Sequence, residues 1–160
     1  MARFGDVALV VGLLVGVAAL VWAHLAIAAL PFGAGSDRPV GGLIAWRELH
    51  AGEWKGAFDF YSKLFGWRKG EAIDMGPGGT YQLFVVGEGP AGGMLTKQPA
   101  EAHPYWMYYF NVKGINAAAK RVKDNKGEVS SGPHQVPGGS WIIHCRDPQG
   151  AIFALVSPEA

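Results

Sequence analysis

Cysteine is almost absent from this chain: Cys145 is the only one, so no disulfide can form within it. Charge is scarce as well. Acidic and basic residues make up 17% of the 160 positions, 14 basic against 13 acidic, for a net charge of +1. The two signs are interspersed. The lack of a basic stripe excludes an electrostatic footprint for nucleic acid, and the lack of an acidic block excludes a solvating tail. Glycine, in contrast, is abundant at 24 residues, which points to many tight turns and a strand-rich fold.

The longest uncharged stretch is Val7 to Phe32, where His24 is the only titratable group. A helix needs roughly 20 apolar residues to cross a bilayer core, so 1–32 is expected to be a hydrophobic helix and a membrane anchor. A cleaved signal is a rival, because Ala26-Ile27-Ala28 resembles a cleavage site, and a buried helix is another. Gly12 and Gly16 would let two such helices approach closely, as in a homodimer. Arg3 on one side against Arg38 and Arg47 on the other leans toward a cytoplasmic C-terminal domain. Residues 33–42, rich in glycine and proline, read as a linker.

From there the chain writes itself twice. Pro77-Gly78-Gly79-Thr80-Tyr81 returns sixty residues later as Pro137-Gly138-Gly139-Ser140-Trp141. Trp46 and Trp106, and Ala57 and Ala117, share that offset, which marks an internal duplication. Alternation makes 43–49 a strand with Ile44, Trp46, Glu48 and His50 on one face. Helical spacing of Trp54, Ala57, Phe58, Tyr61, Leu64 and Phe65 predicts a helix over 53–65, closed by Gly66. Strands over 67–74, 80–86 and 92–96 complete a first module, 43–96. The second, 104–157, repeats the order: a strand over 105–112 with Trp106, Tyr108 and Phe110 on one face, a helix over 115–125, and strands over 128–130, 140–145 and 151–156. The expected fold is α+β, two tandem βαβββ modules forming one eight-stranded cup over 43–158. Its shared concavity is the expected ligand site.

Phe60-Tyr61 with Leu64-Phe65-Gly66-Trp67, then Gly92-Gly93-Met94, then Asp147-Pro148-Gln149-Gly150-Ala151 with Phe153-Ala154-Leu155 give the chain a resemblance. It resembles the vicinal oxygen chelate superfamily of glyoxalase I, bleomycin-resistance proteins, fosfomycin-resistance enzymes and extradiol dioxygenases. The resemblance implies paired modules forming a cup, and, in metal-using members, a histidine on the first strand of a module and a glutamate on its last. The matching positions here are Trp46, Trp106 and Ala154, none of which can ligate a metal. Glu48, His50, His134 and His144 remain as donors, without compact spacing. The expected function is therefore metal-free, cofactor-free binding of a small molecule by Trp46, Glu48, Trp106, Tyr108 and Phe110. Glu48 and Tyr108 would hold the ligand's polar end. The alternative is a glyoxalase-like, metal-dependent lyase, isomerase or dioxygenase.

Overall fold

The computed structural model describes residues 41–136 and 139–160. The hydrophobic helix expected over 1–32, most of the linker over 33–42, and Pro137-Gly138 of the second turn motif lie outside these residues. The expected membrane-anchored localisation is corrected: among the described residues no helix is long and apolar enough to cross a membrane.

The elements run β1 (Ile44–Ala51), α1 (Trp54–Phe65), β2 (Arg68–Asp74), β3 (Thr80–Val86), β4 (Gly89–Thr96), β5 (Tyr105–Asn111), α2 (Ile115–Asp124), β6 (Glu128–Gln135), β7 (Trp141–Arg146) and β8 (Ile152–Ser157). The order strand, helix, three strands thus occurs twice. Local chemistry explains the boundaries of α1. Glu53 caps it from outside, its carboxylate accepting from the amides of Lys55 at 2.7 Å and Gly56 at 2.8 Å. Those bonds hold the Glu53 carboxyl below the usual range. At the other end Gly66 takes φ 71°, a left-handed conformation that glycine adopts at little cost.

All eight strands form one mixed sheet, in the order β2-β3-β4-β1-β5-β8-β7-β6. β1 and β5 lie antiparallel at its centre, and each is parallel to the last strand of its own half, β4 and β8. Both helices cover one face. Phe58 of α1 meets Leu49, Ala51, Phe84 and Met94, while Ile115, Ala118 and Ala119 of α2 meet Ile143, Cys145 and Leu155. The helix-free face carries a separate core with Trp46, Tyr81, Leu83, Leu95, Met107, Tyr109, Ile142, Ala154 and Val156. These residues come from six strands.

The sixty-residue offset does not survive on the first strands of the two halves. Paired residues in adjacent strands share a face, and the register sets Trp46 against Tyr109 and Leu49 against Trp106. Trp46, Glu48 and His50 therefore point to the helix-free face, and Trp106, Tyr108 and Phe110 to the helix face. A shift of one residue moves every side chain of a strand to the opposite side, so an offset in sequence cannot fix the face.

Candidate functional site

On the helix-free face a buried polar cluster is centred on Glu48, which is only 1% exposed. Tyr81 of β3 donates to Glu48 Oε2 at 2.9 Å and accepts the Trp46 indole N–H, also at 2.9 Å. His50 Nε2 lies 2.9 Å from Glu48 Oε1. Its Nδ1 lies 2.9 Å from Oε1 of Glu101, on the connection between β4 and β5. Tyr105 stacks on the His50 ring at 4.4 Å and donates to the same Glu101 oxygen at 2.6 Å. The Gln98 amide donates to Glu101 Oε2. Deeper in, the Tyr109 hydroxyl and His144 Nε2 are 3.1 Å apart. An ion-linked path thus runs from the half-buried Glu101 through His50 to Glu48 and Tyr81.

Tyr81 reaches Glu48 because Gly93 stands beneath its ring. A Cβ on Gly93 would come 2.1 Å from the Tyr81 ring. Neighbouring Gly92 does the same for Phe84 on the helix face, where a Cβ would meet that ring at 2.2 Å and the Arg47 carbonyl at 2.4 Å. The glycine pair lets aromatic rings from β3 lie flat over both faces of β4.

Burial and charge act in opposite directions on the two histidines. Burial alone would lower His50, but the contacts with Glu101 and Glu48 outweigh it and raise its pKa to about 9. It is an imidazolium at neutral pH, clamped between two carboxylates. His144 is lowered to about 4 by burial, with Glu48 opposing and His50 and His134 assisting, so it is neutral. Burial works to raise the Glu101 carboxyl, yet the hydrogen bonds from His50 and Tyr105 leave it below the usual range. Burial and the Glu48 charge push the Tyr81 hydroxyl far above its ordinary value, so it remains a donor.

These shifts predict where the fold is most stable. The raised His50 stabilises the folded state fully below the unfolded value of 6.5, and that contribution fades as pH climbs through about 9. The lowered His144 acts oppositely: its contribution is present above 6.5 and is lost as pH falls through about 4. Each is worth about 3 kcal/mol. Thermal melts across this range should therefore peak near pH 6.5 and fall on both sides. A flat profile would contradict the clamped imidazolium.

Of the residues expected from sequence, the structure brings Trp46 and Glu48 together and leaves three elsewhere. Trp106 packs on Tyr61 and Trp67 under α1, Tyr108 stacks on Trp106 at the surface, and Phe110 joins the α2 core. In their place the fold supplies His50, Tyr81, Glu101, Tyr105 and Tyr109. Strand parity sets His50 on the face of Glu48, as expected from the sequence and as the register shows. Glu101 lies outside any strand, where parity is silent.

Relatives fit this architecture. Residues 44–155 match the Glyoxalase/Bleomycin resistance protein/Dioxygenase superfamily. The chain belongs to that superfamily. It is 26% identical over 117 residues to CFP32 of Mycobacterium tuberculosis, named as a glyoxylase, covering 73% of this chain and 44% of that protein. It is 31% identical over 127 residues to the anthracycline biosynthesis protein DnrV of Streptomyces peucetius, covering 71% and 46%. The chain therefore spans less than half the length of these curated relatives. Among solved structures, methylmalonyl-CoA epimerase of Streptomyces coelicolor, in complex with 2-nitronate-propionyl-CoA, superposes with a TM-score of 0.54 at 16% identity, over 75% of this chain and 99% of that one. A hypothetical protein of Bacillus halodurans gives 0.57 at 14%, over 72% and 94%. At such identities these two show a shared fold.

Some members of the superfamily hold a divalent ion, and the residues here do not fit one. The Trp46 indole can only donate, and it donates to Tyr81. Trp106 is on the opposite face, and Ala154, beside His144 and Tyr109, offers no donor atom. Among the described residues no group of three or more His, Cys, Asp or Glu side chains could hold a metal ion.

Proposed function

We propose that this superfamily member is a metal-independent small-molecule-binding protein whose ligand is read by the Glu48 cluster in the sheet's cup. Glu48 carries the reading. Burying a carboxylate and arranging an indole, a phenol and an imidazolium around it contributes less stability than an apolar filling of the same space would. Such clusters collect where charge is used. Trp46, Tyr81 and Tyr109 are buried around Glu48, and the cluster reaches the surface at Tyr105 and Glu101, whose ring and carboxylate suit a planar, largely apolar ligand with one hydrogen-bonding end. Stacking on such rings is worth about 0.5–1.5 kcal/mol beyond area burial. The name of the Streptomyces peucetius relative directs the first trial to anthracyclines, which are planar polycycles of this kind.

The test is a thermal-shift screen of planar aromatic compounds, anthracyclines included, on wild type and Glu48→Gln. Gln keeps the shape of Glu48 and removes its charge. Ligands should raise the wild-type midpoint by several degrees, and Glu48→Gln should lose most of that rise while remaining folded. Elemental analysis and melts in zinc, nickel, manganese and iron(II) address the metal directly. A stoichiometric bound metal, or an activity abolished by chelation, would overturn the proposal.

A further inference from the structure

The rim of the cup carries a cation that the Glu48 cluster does not use. Arg146 ends β7, and alternation along that strand sets it on the helix-free face with Ile142 and His144. It is exposed. Its charge reaches the Tyr105 hydroxyl, which burial and Glu101 push upward and Arg146 draws back. The carboxylates closest to it in the turn and in the register do not neutralise it. Asp147 turns its Oδ1 inward, accepting from the amides of Gln149 and Ala151, both at 2.8 Å. Glu128, opposite it on β6, forms no ion pair with it. The side-chain hydrogen bond that Arg146 makes among the described residues is long, 3.4 Å from Nη1 to the Gly150 carbonyl in the β7–β8 turn. The guanidinium thus leans toward β8 rather than β6, with most of its N–H donors left for a ligand.

An apolar floor lies between Arg146 and the Glu101–Tyr105 end of the cluster. The sheet order puts β8 between β5 and β7. Ile152 of β8 pairs with Arg146 and packs, partly buried, against the helix-free core. One face of the Tyr105 ring is taken by His50 of β1, so the other is turned toward β8. Tyr105 and Arg146 stand two strand spacings apart, about 10 Å. A fused bicyclic aromatic lying on Tyr105 and Ile152 would set one substituent beside Glu101 and the opposite one beside Arg146. The end at Glu101 must donate, because that carboxylate only accepts. The end at Arg146 must be anionic. A carboxylate conjugated to the ring is planar, as the guanidinium is, and the two pair through parallel N–H···O bonds.

We propose that Arg146 is a specificity-determining residue of the cup, selecting a planar aromatic carboxylate with a hydroxyl at its far end. This role presupposes a ligand in the cup, and the experiment separates the two. Isothermal titration compares 6-hydroxy-2-naphthoate with 2-naphthol, which keeps the ring and the hydroxyl and lacks the carboxylate. The naphthoate should bind about tenfold more tightly or better, the worth of one charge-assisted hydrogen bond. Arg146→Gln should erase that difference while leaving the 2-naphthol affinity and the melting temperature unchanged, since the side chain is exposed. Arg146→Lys keeps the charge without the planar fork and should retain part of the preference. Equal binding of the two compounds to wild type, or a naphthoate preference that survives Arg146→Gln, would overturn the role of Arg146 and leave the cup standing as a ligand site. Binding of neither compound would overturn that role whatever the thermal-shift screen shows. The cup itself falls as a site only if no planar aromatic in that screen raises the midpoint.

Discussion

His50→Ala is expected to destabilise the protein by about 3–5 kcal/mol, measured as a shift in the urea unfolding midpoint at pH 6.5. The reason is electrostatic rather than steric. In the folded chain the imidazolium lies between the two carboxylates, 2.9 Å from Glu48 Oε1 and 2.9 Å from Glu101 Oε1. Glu101 can turn to water, but Glu48, 1% exposed, cannot. Removing one partner of a buried pair leaves an uncompensated charge, and that penalty sets the range. A companion variant separates this from lost packing. Glu48→Leu combined with His50→Leu removes both charges and fills the space, so it should be far less destabilised than His50→Ala. If the double variant is the worse of the two, the imidazolium clamp is not what holds this region together.

Gly92→Ala should be among the most damaging single-methyl changes in the described residues, costing about 3 kcal/mol or more. Overpacking a sound core typically costs 1–3 kcal/mol, the neighbour usually being a side chain that can turn aside. Gly92 allows no such escape. Its Cβ would sit 2.2 Å from the ring of Phe84, which is fully buried and stacked on Trp67 at 4.2 Å. On a second side it would sit 2.4 Å from the Arg47 carbonyl, which is backbone in the central strand. Either β4 separates from β1 or the Phe84–Trp67 stack is broken. Gly89→Ala, where no atom lies within 4 Å of the added carbon, is the control and should be close to neutral. A Gly92→Ala melt within a degree or two of wild type would refute the close approach of Phe84.

Most of the element order was legible because it is written locally. Glycine turns, the helical stripe of α1 and the apolar run of β8 each announce themselves over a few residues. Edges shifted where capping decided them: Glu53 caps α1 from outside, and β6, expected over 128–130, continues to Gln135. The candidate site was only half legible. Parity on β1 correctly joined Trp46, Glu48 and His50, a property of one strand. The face of β5 depends on its register against β1, and that register includes a bulge between Ile44 and Trp46. Repeated tryptophans at a fixed offset suggest equivalence, yet Trp46 lies among Tyr81 and Tyr109 while Trp106 lies among Tyr61 and Trp67. Glu101 was not legible at all: only the path of the connection brings it to His50.

The strand order also determines when the sheet can close during folding. β1 pairs in parallel with β4, and β5 with β8, so the first strand of each half must wait for the last. Hairpin neighbours such as β2 and β3 can meet as soon as they exist, whereas Leu49 meets Met94, and Phe110 meets Leu155, only after some 45 intervening residues have been ordered. Long closures of this kind slow folding, because chain entropy is lost before contacts repay it. The pairing of β1 with β4 is consequently a late event within its half, and until it forms, Glu48 lacks Tyr81, which β3 carries on the far side of β4.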